Sequence, residues 1–402
     1  MNIIYSTRNF VLRLSYRFIA KPLVFLWEPE DAHDKLKSLG KFMSSNFLFR
    51  GISRLLFSYR NQRLNTVVDG IQYDNPIGLS AGFDKDGELT KMYPCISFGF
   101  AELGSFTGQV CPGNPGRRLW RLKKSKSILV WYGLNNQGAE RIAQRLAKAR
   151  FKLPIGISAA KTNNTDCFDI DRSIADYMTT YRAFRDIGDY YTINISCPNT
   201  QDGEPFADPD NLGKLFEAIN RERVPNKPVY VKIAADMSID EVNSIVDTVL
   251  RYKIDGMVLA NLTKPRDNPE VFKDEVPYPK GAMSGLPLQK IATNLVRHIH
   301  QRAQGKITLI AVGGIFTARD AYEKITSGAH LCQMITGMIF DGPQVMAEIN
   351  QGLVKYLKKD GLNTISEAVG LRNPLDERFA SPLLQQHSDT GRITSITGKK
   401  AA

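Results

Sequence analysis

Along the chain, short apolar runs alternate with stretches whose apolar residues recur at helical spacing. From about Asn75 onward eight such runs are visible: Ile77-Gly78-Leu79, Phe100-Ala101-Glu102-Leu103, Ile155-Gly156-Ile157, Tyr191-Thr192-Ile193-Asn194, Val229-Tyr230-Val231-Lys232-Ile233, Gly256-Met257-Val258-Leu259, Thr308-Leu309-Ile310-Ala311-Val312 and His330-Leu331-Cys332-Gln333-Met334. Runs this short and this rich in β-branched and aromatic residues read as buried strands. Most are followed by a polar or Gly-rich loop and then a helical stretch, which is what a closed parallel barrel requires. The expected fold is therefore α/β, a (β/α)8 TIM-type barrel over residues 61–362.

The chain before the barrel reads differently. Residues 28–60 carry Ala32, Leu36, Leu39, Phe42 and Met43 at mostly helical spacing behind Pro29. A second apolar group from Phe47 to Phe57 follows, past a break at Ser44-Ser45-Asn46. Two short amphipathic helices so rich in large apolar residues either form a hydrophobic mouth for a lipid-soluble molecule or pack on the main domain. Residues 1–27 hold Arg8, Arg13, Arg17 and Lys21 among Phe10, Leu12, Leu14, Phe18, Leu23, Phe25, Leu26 and Trp27, with no acid before Glu28. The charges and Pro22 interrupt any span of the ~20 apolar residues a membrane crossing needs. The segment fits either a helix lying on a membrane surface or a targeting peptide of mitochondrial type. After about Gly370 the composition turns polar, and 363–402 reads as a mobile tail.

Composition narrows the choice of partners. The 43% hydrophobic content supports a folded core, and 53 basic against 41 acidic residues give a net charge of +12, which suits an anionic partner such as nucleic acid, anionic lipid or a phosphate-bearing cofactor. No aromatic-basic nucleic-acid module is visible. The five cysteines are scattered, with no C-x-x-C pair, and the five histidines are equally dispersed. This argues against a disulfide framework or a zinc site and for a reducing compartment.

Candidate chemistry clusters at the strand ends, where barrel enzymes carry their sites. The fourth strand runs into Asn194-Ile195-Ser196-Cys197-Pro198-Asn199-Thr200. Two amides suited to an amide-like ring flank a thiol that can exchange a proton; packing and turn chemistry explain the same residues equally well. Ser80 to Glu88 leaves the first strand with small residues that let backbone approach a flat ring, and with Lys85 as a cation. Gly313-Gly314 and Ile335-Thr336-Gly337 follow the last two strands, where barrels commonly bind phosphate, although tight βα turns use the same residues. Ser284-Gly285 forms another small-residue loop. Lys232 ends an apolar strand; facing inward it needs an electron-rich partner such as a flavin edge, and facing outward it needs none.

In this order the motifs resemble the dihydroorotate dehydrogenase family, specifically its membrane-associated, quinone-reducing branch. The likeness runs from Glu28-Pro29-Glu30-Asp31-Ala32-His33 through Ser80 to Glu88, Pro112-Gly113-Asn114-Pro115 with Arg118-Leu119-Trp120-Arg121-Leu122, Asn194 to Thr200 and Ser284-Gly285 to Gly313-Gly314 and Gly342-Pro343. The resemblance implies FMN, oxidation of (S)-dihydroorotate to orotate in pyrimidine biosynthesis, and a ubiquinone-type acceptor. It also implies peripheral contact with a bacterial cytoplasmic membrane or the mitochondrial inner membrane. On matching positions it makes Cys197 the catalytic base and Lys85, Asn194, Asn199 and Asn261 the substrate contacts. It assigns Ser80, Ala81, Gly82, Phe83, Asp84, Lys85, Ser105, Ser158, Asn194, Lys232, Ala260, Ser284, Gly285, Gly313, Gly314, Ile335 and Thr336 to the flavin, and His33 and Arg121 to the quinone.

The chain departs from the family pattern at five places. Cys197 stands where the quinone-reducing branch has Ser, Val130 and Ser158 where the family has Asn, Leu262 where it has Thr, and Ile335 where it commonly has Tyr. These changes motivate an alternative, an FMN oxidoreductase of the same barrel family acting on another small cyclic substrate. A remoter one is a non-catalytic, membrane-bound binding protein.

Overall fold

The computed structural model describes residues 2–200, 203–266, 268 and 271–374. Eight parallel strands close into a barrel: β1 Ile77–Leu79, β2 Phe100–Phe106, β3 Ile155–Ala159, β4 Tyr190–Asn194, β5 Val229–Lys232, β6 Gly256–Leu259, β7 Thr308–Val312 and β8 Leu331–Met334. Every run expected from the sequence is a barrel strand, and β8 pairs back onto β1 to remove both edges. The surrounding helices are amphipathic. Ile239–Arg251, for instance, buries Val242, Ile245, Val246 and Val249 against the barrel and is closed by a capping box between Ser238 and Glu241.

Inside the barrel, size alternates so that a solid core forms. Phe100, Tyr190, Tyr230, Val258, Ile310 and Leu331 fill the deep layer, and Val68 and Tyr73 of an antiparallel hairpin, Thr66–Val68 with Ile71–Tyr73, close it from below. Glycine makes this layer possible: a Cβ on Gly156 would stand 2.1 Å from the Tyr190 ring, and one on Gly78 2.4 Å from Phe100. At the opposite end, a three-stranded antiparallel sheet of Leu119–Leu122, Ser127–Val130 and Ala282–Met283 rises over the mouth. Neither accessory sheet was anticipated from the hydrophobic pattern.

The N-terminal third of the mouth is helical. Helix α1, Asn2–Ser15, continues through Tyr16–Ala20 and a turn at Lys21–Val24; α2 spans Pro29–Ser45 and α3 Phe47–Phe57. The break between α2 and α3 has a local cause, since Asn46 is extended and its side chain accepts from the Leu48 N–H at 2.8 Å, capping α3. Of residues 1–27, expected to be a membrane-surface or targeting segment, the described part is tied to the barrel domain at several points: Arg13 pairs with Glu348 at 2.9 Å, Gln351 donates to Ser6, and the Tyr16 hydroxyl donates to the Ile339 carbonyl at 2.6 Å. Their outer side exposes Ile3, Ile4, Phe10, Val11, Phe18, Ile19, Leu23 and Leu26, and Leu39, Phe42, Phe47, Leu48 and Leu55 are exposed on α2 and α3. Among the described residues, no helix is long and apolar enough to cross a membrane.

The stretch expected to be a mobile tail begins in packed structure. Ile365 and Ala368 are buried, and Asn373 donates to the carbonyls of Arg297 and Ser327; residues 375–402 lie outside the described residues.

A pH dependence of stability follows from His330. Burial, reinforced by the neighbouring His300, presses its imidazole down to about 4. Its ring accepts from the Leu309 N–H at 3.1 Å. An unfolded chain protonates this group near its ordinary ~6.5, so its contribution is fully present above that value and is lost as pH falls towards 4. Chemical denaturation at pH 7 and pH 4.5 should show a loss of roughly 2–3 kcal/mol from this group. His330→Gln should flatten that part of the profile, and an unchanged slope in the variant refutes the assignment.

Candidate functional site

The C-terminal ends of the strands and the mouth sheet border a cavity of roughly 190 Å³, continuous with a second lobe of roughly 80 Å³ over the ends of β7 and β8. Lys232, Ala81, Asn261, Leu262, Ser284, Ile335 and Thr336 line both. The first lobe collects Gly82, Phe83, Lys85, Ser105, Asn194, Cys197, Asn199 and His33; the second collects Ser80, Ala260, Gly285, Gly313 and Gly314. Residues from seven of the eight strand ends, all but that of β3, thus meet in one continuous space at the mouth of the barrel.

Register positions the central groups. Asn194 pairs with Lys232 across β4 and β5, so both side chains face inward at the same level. The Asn194 amide donates to the Ser105 hydroxyl at 2.8 Å, and its oxygen accepts from Ser196 and Asn261. Asn261 in turn donates to the Ser196 carbonyl at 2.7 Å. Asn199 donates to the Val130 carbonyl at 3.1 Å, but its own side-chain oxygen is buried with no partner among the described residues. A buried acceptor left open in a cavity wall is a ready site for a ligand N–H.

The cations are strained by their surroundings. Lys232 is 4% exposed, and its one hydrogen bond found among the described residues is to the Ser80 hydroxyl at 3.4 Å. Burial lowers its pKa, opposed by Glu102 and Cys197. Lys85 lies over the Tyr132 ring; burial first, then the like charge of Arg118, brings it down to about 7, while Glu30 and Asp34 act the other way. His33 packs edge-on against Phe83, and burial followed by Lys85 and Lys37 holds it near 3, so it is neutral. Cys197 lines the cavity as a thiol whose pKa burial raises to about 11, against the pull of the Asn199 backbone N–H.

Three of the expected residues are placed elsewhere. Asp84 is fully buried and turned into its own loop, where its carboxylate accepts from Glu88 N, Leu89 N and the Tyr93 hydroxyl at 2.8, 2.8 and 2.6 Å; it orders the loop that carries Lys85. Ser158 stands behind Ser105, hydroxyl to hydroxyl at 2.8 Å. Arg121 donates to the Trp27 carbonyl at 2.8 Å and covers the Phe25 ring, outside the cavity lining.

Other lining residues were missed from sequence. Leu119, Ile128, Ile339 and Tyr132 also line the first lobe. Asn114 donates to the Asn199 carbonyl at 3.1 Å and so fixes the loop after Cys197. The Trp131-Tyr132-Gly133 cluster next to Val130 was the available signal. Two amides follow Val130 closely in the chain and are candidates to stand in for the Asn of the family pattern: Asn136 is spent on Thr107 and its own turn, while Asn135 lines the cavity with its nitrogen engaged by the Pro112 carbonyl. Among the described residues, no group of three or more His, Cys, Asp or Glu could hold a metal ion.

Comparison with known proteins agrees with this architecture. Residues 63–357 match the model of the dihydroorotate dehydrogenase family. A dihydroorotate dehydrogenase (quinone) of Trichodesmium erythraeum is 37% identical, the alignment covering 89% of this chain and 99% of that protein. The protein of the same name from Trichormus variabilis is 36% identical, over 89% and 98%. Among solved structures, the ligand-free dihydroorotate dehydrogenase of Eimeria tenella superposes with a TM-score of 0.76 at 27% identity, covering 86% of this chain and 99% of that one. Family model, relatives along nearly the whole length and a shared barrel together make this chain a member of the dihydroorotate dehydrogenase family.

Proposed function

We propose that this chain is a flavin-dependent oxidoreductase that converts (S)-dihydroorotate to orotate in pyrimidine biosynthesis and passes the electrons to a membrane quinone. The observation that carries the reading is the Cys197 thiol lining one cavity with three amides, Asn194, Asn199 and Asn261, the Asn199 oxygen being buried with no partner among the described residues. A cyclic substrate bearing imide and amide groups offers both N–H donors and C=O acceptors to such a set. Cys197 then takes the proton from the ring carbon, and Lys85 supplies positive charge to the substrate carboxylate.

FMN suits the rest of the cavity. Lys232 is a buried lysine with no acid within hydrogen-bond reach among the described residues, at the junction of the two lobes, which fits the electron-rich edge of a flavin ring. Gly313 and Gly314 line the second lobe with main chain, their close packing on Leu288 and Gln289 requiring glycine there, and such a backbone wall suits a ribityl phosphate. When bound, FMN supplies a hydride acceptor that can be reoxidised by a quinone. His33, Leu119, Ile128 and Ile339 offer an apolar path to that acceptor, and the exposed apolar residues of α1 to α3, with Arg13 and Lys21 beside them, favour peripheral attachment to an anionic membrane.

A second reading is favoured by the apolar residues of the same lining. Val130, Leu262 and Ile335 line the cavity with apolar side chains, which suits a diverged FMN oxidoreductase acting on a less polar ring.

The purified protein should be yellow and should bleach anaerobically on addition of dihydroorotate, then recover colour with a quinone; bound FMN that fails to bleach rules out this substrate. Cys197→Ala should retain FMN and lose roughly 10²–10⁴-fold in flavin reduction rate. With the thiol at about 11, the thiolate fraction grows about tenfold per pH unit below that value, so stopped-flow reduction should accelerate accordingly between pH 7 and 9. A flat profile would remove Cys197 as the base. Val130→Asn separates the two readings: a slow wild type that gains dihydroorotate turnover supports the second, and a fast wild type slowed by the change eliminates it.

A further inference from the structure

Among the described residues, the eight barrel strands carry one acid and one base, Glu102 on β2 and Lys232 on β5. Both are buried, Glu102 completely. Removing an ion from water costs several kcal/mol even after the protein relaxes, so two charges in an otherwise uncharged barrel require an electrostatic explanation. Glu102 has specific partners: one carboxylate oxygen accepts from the Thr192 hydroxyl at 2.8 Å and from the Gln333 amide at 2.9 Å, with the Tyr190 hydroxyl at 3.5 Å. Its other oxygen has no hydrogen-bond partner among the described residues.

Strand geometry fixes where this group lies. Side chains two apart on a strand face the same way, and Asn194 pairs with Lys232. Thr192, two residues before Asn194, therefore points into the barrel one layer deeper, and Glu102 is bonded to it there. The carboxylate thus lies in the layer immediately beneath Lys232, under the junction of the two lobes. Burial disfavours the Lys232 ammonium, and Glu102 is the first of the charges that act to keep it protonated.

We propose that Glu102 is a positioning residue for the redox site: its negative charge, one layer below Lys232, offsets the ammonium and sets how readily a flavin bound above accepts electrons. An uncompensated Lys232 would favour the electron-rich, reduced ring; the carboxylate opposes this and keeps the reduced cofactor able to give its electrons up. The inference rests on the reading of the cavity as an FMN site, and it concerns a residue that touches neither substrate nor cofactor.

The test is the flavin midpoint potential of the full-length, FMN-loaded protein, measured by anaerobic equilibration with reference dyes. Glu102→Gln is isosteric and keeps an acceptor for Thr192 and Gln333, and it alters only the oxygen that has no partner among the described residues, so it should fold and hold FMN. Its equilibrium should shift at least tenfold towards the reduced form, about 30 mV upward for a two-electron couple. Glu102→Asp, which retains the charge, should stay within threefold of wild type. A Glu102→Gln potential that moves less than tenfold or downward overturns the proposal, as does an equal shift in Glu102→Asp or loss of FMN from Glu102→Gln alone. A wild-type protein that binds no FMN overturns instead the reading of the cavity on which the proposal rests.

Discussion

The site depends on one pairing register, that of β4 against β5, which sets Asn194 opposite Lys232. A slip of a single residue would turn both side chains to the helical layer and bring Ile193 and Val231 into the cavity. The register is held by the layer below, where Tyr190 and Tyr230 pack as neighbours inside the barrel and Gly156 leaves space for the Tyr190 ring. Packing deep in the barrel therefore determines the level at which polar groups emerge at its mouth. The same alternation that yields a dry core beneath yields a ring of hydrogen-bonding groups above.

Polarity rises through the barrel in steps rather than abruptly. The deep layer is aromatic and aliphatic, the next holds Glu102, Thr192 and Gln333, and the layer above holds Asn194, Lys232 and the loops with Cys197 and Lys85. Each polar group in the middle layer has a partner supplied by another strand, so the buried carboxylate is accommodated by hydrogen bonds that only the closed barrel brings together. Open valences occur in both upper layers: among the described residues one oxygen each of Glu102, Gln333 and Asn199 has no hydrogen-bond partner, and Lys232 donates only to the Ser80 hydroxyl.

The barrel was legible in sequence because buried parallel strands are continuous apolar runs, and all eight announce themselves from Ile77 to Met334. The break at Asn46 was legible because a helix N-cap has a local chemistry. Most of the cavity lining was legible through small residues and amides at strand ends. The short accessory strands were not, since Leu119–Leu122 reads as a basic loop and Ala282–Met283 is two residues long. The direction of Asp84 was hidden for a different reason: the Tyr93 hydroxyl that claims it arrives from a later turn. Arg121 is likewise engaged by Trp27, far away in sequence. Motifs identify a loop's composition, whereas the direction of each side chain is decided by donors that the motif does not contain.

The clasp between the first residues and the barrel has a bearing on how the polypeptide can be handled. Tyr16 satisfies the carbonyl of Ile339, whose side chain lines the cavity, and Arg13 neutralises the half-buried Glu348. Beside them, Arg117 and Arg118 pair with Glu28 and Glu30. Trimming the greasy N-terminus to gain solubility would therefore strip partners from groups that border the cavity and leave an acid without its cation. A shortened chain is thus an altered catalyst, and its behaviour towards hydrophobic ligands cannot stand in for that of the intact protein.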